Sequence, residues 1–209
     1  MSGHSKRARA LFGCAALALL IGAALSSSAA ASPAWYFDGE LLEGSETVAN
    51  TTPPSYFTFP GLTIGCQPLP LEMTIKNEMG NGSGKVTDLP VGTCFTDSSV
   101  CTVEAFEPES FPWNAPLKAV SSKDYLRIEG VHLTFLLGEE ECPLYEIAIE
   151  ITGTAGGIID NEAEQIVFNA ATFKATGTEL KALGQKVEYN AALELKATGP
   201  RAGQQLTVH

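Results

Sequence analysis

Histidine is nearly absent from this chain: of 209 residues only three are histidine, and with His4 near the amino end the remainder are His132 and His209. Ser-His-Asp and Cys-His catalysis both need an imidazole placed as a base. Period-two alternation puts His132 on the polar side of its strand, so the sequence offers no catalytic residue of that kind. Basic side chains are also few, 13 Lys plus Arg against 24 Asp plus Glu, for a net charge of −11. A surface of that sign repels phosphate backbones and anionic headgroups, which argues against nucleic-acid and membrane-surface partners. Cys-x-x-Cys is missing, and with it the usual zinc spacing. Gly-x-Ser-x-Gly is missing too, the nearest run being Gly82-Ser83-Gly84, and in Gly84-Lys85-Val86 a valine stands where a phosphate loop needs a hydroxyl. No catalytic, cofactor or metal residue is assigned, and no cofactor is expected.

Long apolar runs are missing except for one, Leu11 to Leu25, which at about 15 residues falls short of the roughly 20 that span a bilayer. Lys6, Arg7 and Arg9 precede it, and small residues from Ser26 to Ala31 follow. That order, positive start, short greasy helix, small side chains, is the requirement of a secretory signal. Residues 1–31 are therefore expected to be removed after Ala31, with cleavage after Ala34 as the alternative. Leu11-Phe12-Gly13-Cys14 is not a lipoprotein box, because most of the apolar run lies after Cys14. No membrane anchor is expected in residues 32–209. Loss of Lys6, Arg7 and Arg9, with no acid, makes the mature chain three units more negative than −11.

With Cys14 set aside, Cys66, Cys94, Cys101 and Cys142 remain. An even number in an exported chain argues for two disulfides. Three pairings are possible; the sequential one, Cys66 with Cys94 and Cys101 with Cys142, is favoured because it suits neighbouring strands.

Residues 32–209 read as a single disulfide-stabilised all-β domain. Leu71, Met73 and Ile75 alternate with Glu72, Thr74 and Lys76; Val131, Leu133, Phe135 and Leu137 alternate with His132, Thr134 and Leu136. The same period appears at Tyr145, Ile147, Ile149 and Ile151, and at Val187, Tyr189, Ala191, Leu193 and Leu195. One apolar and one polar face per segment is the mark of antiparallel sheet covered on one side. Asp38-Gly39 and the Gly80 to Gly84 run are hairpin signals, and Gly153, Gly156-Gly157, Gly177, Gly184 and Gly199-Pro200 punctuate the carboxyl half. The best helical candidate, Glu179 to Lys186, is interrupted at Gly184. Lys174-Ala175-Thr176-Gly177 recurs as Lys196-Ala197-Thr198-Gly199, which reads as a β-meander. Pro108, Pro112 and Pro116 keep the segment around Phe111 and Trp113 out of a central strand, and its aromatics are expected to cap the core. The architecture expected is a β-sandwich or partly closed barrel of roughly ten antiparallel strands.

Trp35-Tyr36-Phe37-Asp38-Gly39, Cys66, Cys101-Thr102-Val103, Pro112-Trp113, Cys142-Pro143 and the glycine-punctuated carboxyl strands together resemble small secreted β-rich proteins of actinobacteria. The resemblance implies an exported, disulfide-linked β domain; no activity comes with it, and so no site residue.

The acidic chemistry has two further readings. Paired carboxylates hydrolyse glycosidic bonds without histidine, but Glu72, Glu104, Glu146, Glu150, Glu188 and Glu194 all fall on polar strand faces and name no pair. Asp160-Asn161-Glu162-Ala163-Glu164 is an oxygen-rich loop without the spacing of a calcium loop. The functional expectation is a secreted or cell-envelope binding or structural domain, without enzymatic activity, meeting an extracellular glycan or protein through an exposed sheet face or the Phe111 and Trp113 region. The alternatives are a carboxylate-dependent glycoside hydrolase and a barrel carrying an apolar ligand. Peptide mapping without reductant is expected to recover all four mature cysteines as cystine; a free thiol among them would contradict the staple reading.

Overall fold

The computed structural model describes residues 32–50, 54–90 and 92–209; the signal segment 1–31, with Ala31, lies outside them, whereas Ala34, the alternative cleavage residue, lies within them. Eighteen strands and one helix occur among the described residues. The amino half carries β1 (Trp35–Phe37), β2 (Glu40–Leu41), β3 (Ser45–Asn50), β4 (Ser55–Phe59), β5 (Leu62–Gln67), β6 (Glu72–Glu78), β7 (Asn81–Asp88) and β8 (Thr93–Thr96). A middle group follows: β9 (Thr102–Pro108), β10 (Trp113–Asn114), β11 (Leu117–Val120), β12 (Lys123–Gly138) and β13 (Ala148–Asp160). The carboxyl part holds β14 (Gln165–Phe168), α1 (Ala170–Thr176), β15 (Leu180–Ala182), β16 (Gln185–Leu193), β17 (Leu195–Ala197) and β18 (Leu206–Val208).

Hydrogen-bonded order runs β17-β3-β6-β7-β10-β12-β13-β14-β16, all antiparallel. Only Glu194 separates β16 from β17, so the path returns on itself and the sheet curls into a barrel. From β16 a second branch leaves through β4 and β5 to β8. The long β12 serves two neighbourhoods, its amino half pairing with β10 and β11 and its carboxyl half with β9. The register between β12 and β13 shifts between Glu129 and Val131, where Gly130 has φ of 77°. A glycine there allows the bulge that bends a strand around a barrel. The strands outnumber the ten expected because short pieces such as β10, β15 and β17 each patch one stretch of a longer partner.

Alternation explains the core. Met73, Ile75, Leu133, Phe135, Leu137, Ile149, Ile151, Val187 and Leu193 all face inward and belong to one hydrophobic cluster. Each fully buried large side chain stabilises the fold by roughly 1.5–3 kcal/mol. Trp113 is 4% exposed and caps this core, with Phe111 stacked on it at 4.6 Å, as expected. Contrary to expectation the segment does enter the sheet, because Trp113 and Asn114, the two residues between Pro112 and Ala115, form β10 between β7 and β12. The interior leaves a cavity of about 40 Å³, lined by Phe57, Leu71, Trp113, Val131, Ala155 and Tyr189 among others. That is room for a water or two.

Four sequence expectations need correction. Tyr145 and Ile147 do not begin a strand: turn hydrogen bonds from Cys142 N to Glu139 O, Tyr145 N to Cys142 O and Ile147 N to Leu144 O occupy the backbone, and β13 starts at Ala148. Glu179 to Lys186 is the β15–β16 hairpin, turned at Leu183 and Gly184 with φ of 51° and 74°. The β6–β7 hairpin turns at Met79-Gly80, so Asn81 to Gly84 already lie in β7. The helix sits where the repeat was read as a strand. Asn169 accepts at Oδ1 from Ala171 N and Thr172 N, Asn169 N donates to Thr172 Oγ1, and Gly177 closes the helix at φ of 63°. That reciprocal capping outweighs the alternation of a short segment, and Lys174–Gly177 and Lys196–Gly199 adopt unrelated structures.

Two asparagines fasten the small sheet β18-β1-β2. Asn77 accepts from Trp35 N at 2.8 Å and donates to the carbonyls of Trp35 and Leu42 at 2.9 and 3.0 Å. Asn161 donates to Val208 O at 2.7 Å and accepts from Val208 N at 3.0 Å. Asp160 Oδ1 accepts from Glu162 N and Ala163 N, and Glu164 accepts from Gln205 Nε2. The oxygen-rich loop therefore spends Asp160 on its own turn and Asn161 and Glu164 on docking the carboxyl-terminal strand.

Both disulfides are present, Cys66–Cys94 and Cys101–Cys142. Such bonds belong to an oxidising, extracytoplasmic environment. No helix among the described residues is long and apolar enough to cross a membrane.

Asn77→Ala strips three hydrogen bonds and leaves backbone groups of Trp35 and Leu42 unpaired, so urea denaturation should register a loss of about 2–4 kcal/mol. Alkali provides a second check. The Tyr189 phenol is pushed up to about 12 by burial, against a smaller opposing effect of its hydrogen bond to Ser55. Above pH about 10 the unfolded chain has released this proton while the folded chain retains it, so stability is complete below that pH and falls as pH climbs towards 12. The loss should reach roughly 2–3 kcal/mol, and Tyr189→Phe should remove that share of the alkaline slope in denaturation measured from pH about 8 upwards.

Candidate functional site: an aromatic sheet face

Strands β16, β4, β5 and β8 form a side-by-side ribbon whose inner face carries Val187, Tyr189, Phe57, Ile64 and Cys66. By alternation the outer face carries Tyr56, Thr58, Thr63, Gly65, Gln67, Thr93, Phe95, Glu188 and Asn190. Register places Asn190, Tyr56, Gly65 and Phe95 in one row across the four strands. Tyr56 and Phe95 are 37% and 44% exposed, with ring centroids 6.4 Å apart and planes at 82°. Phe95 leans across Gly65, where a Cβ would come within 2.5 Å of its ring. Glycine is needed at that point because the aromatic occupies the space of a side chain.

Directly beside this row, on the opposite face, Cys66 pairs in register with Cys94 and is bonded to it. A slip of one residue would turn Phe95 inward and part the cysteines, so the disulfide fixes the aromatic row. Thr58 and Thr63 share a hydroxyl contact at 3.4 Å. The Tyr56 hydroxyl and the side chains of Gln67, Thr93 and Asn190 make no hydrogen bond with other described residues. Glu188 is the single charged side chain among these nine positions, with Lys186 two residues before it on the same side of β16 and Asp97 beside Thr63, whose N–H donates to Asp97 Oδ1 at 2.8 Å.

Elsewhere the structure assembles less. Ser110, His132 and Glu109 do meet: Ser110 Oγ lies 3.4 Å and Glu109 Oε2 4.0 Å from His132 Nδ1. A catalytic relay needs the hydroxyl and the acid on different ring nitrogens, and here both approach the same one. Glu109 Oε1 instead accepts from Thr134 Oγ1 at 2.8 Å, and Glu109 O accepts from Trp113 Nε1 at 2.7 Å. This cluster anchors the proline-rich crossover. Glu72, Glu104, Glu150 and Glu188 are exposed on strands, as alternation predicts, Glu194 is half-buried between β16 and β17, and Glu146 is exposed in a turn and not on a strand face. Glu139, Glu140, Glu141, Glu104 and Tyr145 line an open groove of about 550 Å³ beside the Cys101–Cys142 bond. Glu146, with Glu104 contributing less, raises the Tyr145 phenol above its ordinary range. No group of three or more metal-ligating side chains occurs among the described residues.

The sequence reading passed over Tyr56, Phe95 and Glu46. For the aromatics the signal was parity: a disulfide-bonded Cys94 points inward, so its neighbour Phe95 points out. Glu46 shares the inward parity of Val48 and Asn50 on β3, is 8% exposed, and has Oε1 without a hydrogen-bond partner among the described residues. Compared with known proteins, the chain matches no family model, no curated protein and no solved structure.

Proposed function

We propose that this chain is a secreted or cell-envelope β module that binds, without catalysing a reaction, through the outer face of β16, β4, β5 and β8. The observation that carries the reading is the exposed Tyr56 and Phe95 pair in an uncharged row of this face, held in register by the Cys66–Cys94 bond. Large rigid aromatics expend little conformational entropy on binding and supply most of the energy of a contact surface. The Phe111 and Trp113 region is a poorer candidate, since the indole is buried in the core. A cavity of about 40 Å³ gives little support to the carrier alternative.

Export through the general pathway accounts for the amino-terminal pattern and for the disulfides together. Removal after Ala31 fits better than removal after Ala34. Ala34 is buried and exchanges two backbone hydrogen bonds with His209, and Pro33 O accepts from Gly82 N at 2.7 Å. Cleavage after Ala34 would discard these contacts.

Retention of the mature protein on isolated cell-envelope material tests the reading. Tyr56→Ala and Phe95→Ala should each lower retention about tenfold, the size of a lost aromatic anchor, while thermal melts verify that both variants fold. Unchanged retention in two folded variants would remove this face from consideration.

A further inference from the structure

We infer that the ligand of this face is a neutral polysaccharide, seated on the Tyr56 and Phe95 rings; the inference rests on the binding role proposed above. Sugar rings are amphipathic, with axial C–H bonds gathered on one face and hydroxyls around the rim. An exposed aromatic ring matches the C–H face, because its electron-rich plane attracts the weakly positive hydrogens and both surfaces lose water on contact. Tyr56 and Phe95, with planes at 82°, form a corner that offers one ring as a floor and the other as a wall.

The rim of the corner supplies the other half of the match. The Tyr56 hydroxyl, Gln67, Thr93 and Asn190 bring both donors and acceptors, none committed to a partner among the described residues. Sugar hydroxyls likewise donate and accept at once, and amide and hydroxyl side chains satisfy them without the desolvation cost of a buried charge. Four strands at about 4.8 Å spacing give roughly 14 Å of such surface across the ribbon, enough for a short run of sugar rings.

Charge complementarity selects against other occupants. In a chain of net charge −11 the aromatic row Asn190-Tyr56-Gly65-Phe95 and the Gln67-Thr93 pair carry no charge, and the charges of this face stand off them: Glu188 and Asp97 flank the next row, and Lys186 lies further along β16. An anionic polymer meets the Glu188 and Asp97 carboxylates beside the aromatic row, with Lys186 four positions from Asn190 as the cation on the outer face of β16, and a basic segment finds denser carboxylates at Glu139, Glu140 and Glu141. An uncharged polyol satisfies the face as it stands. The disulfide adds stiffness, so a ligand need not order the surface on binding.

Affinity electrophoresis of the mature, oxidised protein in gels containing a β-glucan, an α-glucan, a mannan or an acidic polysaccharide tests the inference. Retardation by at least one neutral polymer is expected. It should fall about tenfold in Phe95→Ala, in Tyr56→Ala and in Gln67→Ala/Asn190→Ala, and Tyr56→Phe, which keeps the ring and loses one rim hydroxyl, should lower it by less than Tyr56→Ala. It should also persist as salt rises from about 0.05 to 0.5 M, because no ion pair is involved. Since Phe95→Ala uncovers Gly65, the surface pair Gln67→Ala/Asn190→Ala keeps the test decisive if the first variant is unstable. No retardation by any neutral polymer, or binding abolished by salt, overturns the glycan assignment. If retention on envelope material still depends on Tyr56 in that case, the face binds a protein and the broader proposal stands. If neither assay responds to Tyr56 or Phe95, both fall.

Discussion

Backbone pairing of β17 with β3 closes the sheet, and the rest of the molecule follows from that closure. Because β16 pairs with β14 and its continuation β17 pairs with β3, one strand passage seals the ring with only Glu194 between. Pairing around this partly closed ring satisfies most of its strand backbone, with the two-residue β10 bridging β7 and β12. The inside can then be filled almost entirely with apolar residues, and Glu46 is the one inward carboxylate on β3, the strand that receives β17. Alternation does the sorting: with one face inside a closed ring, every odd or even position is committed, and a register error would bury a polar row.

The branch through β4, β5 and β8 is different, because it leaves the ring and ends at β8. An open edge invites wrong pairing, and here covalent bonds do the work that closure does elsewhere. Cys66–Cys94 holds β8 on β5, and Cys101–Cys142 ties the chain just beyond β8 to the turn after β12. Bridges across loops of 28 and 41 residues restrict the unfolded chain by roughly 3–4 kcal/mol each in the chain-entropy account. The aromatic pair lies on this covalently fixed branch, and β16, which carries Asn190, joins it to the ring. That arrangement separates stability from recognition: the ring supplies the core, and the branch presents a flat, stiff, outward surface.

Much of this fold was legible because alternation is a direct record of a sheet with one wet side. Leu71, Met73 and Ile75, the Val131 to Leu137 run, the Asp38-Gly39 turn and the sequential disulfides all stand where local rules put them. The failures share a cause, which is backbone committed to something other than a ladder. Tyr145 and Ile147 keep the period of β13, yet the turn drawn in by Cys142 takes their hydrogen bonds. Residues Ala170 to Thr176 lack the length of an ordinary helix and persist because Asn169 and Thr172 cap one end, Gly177 the other, and Phe173 is buried beneath. Met79 and Leu183 occupy the left-handed position of hairpin turns, where Asn or Gly is the readable signal. Turns made from such residues are silent in the sequence.

The candidate site was harder to see for a reason that lies in its composition. Catalytic and metal sites announce themselves with residue types that are costly elsewhere, whereas Tyr, Phe, Thr, Gln and Asn are ordinary strand residues. What makes Phe95 distinctive is its direction, and direction is fixed by a partner 28 positions from its neighbour, through the Cys66–Cys94 bond. Once that bond is known, the parity of Cys94 sends Phe95 outward, the register sets it over Gly65, and Tyr56 falls into contact with it from the far side. An outward aromatic bedded on a glycine also has a purely structural use, shielding the exposed backbone of that glycine. Shielding accounts for Phe95 alone. It does not require a second exposed ring beside it, nor the uncommitted Tyr56 hydroxyl with Gln67, Thr93 and Asn190 around the pair, nor an aromatic row without charge in a strongly acidic protein, and those three features are what a ligand would use.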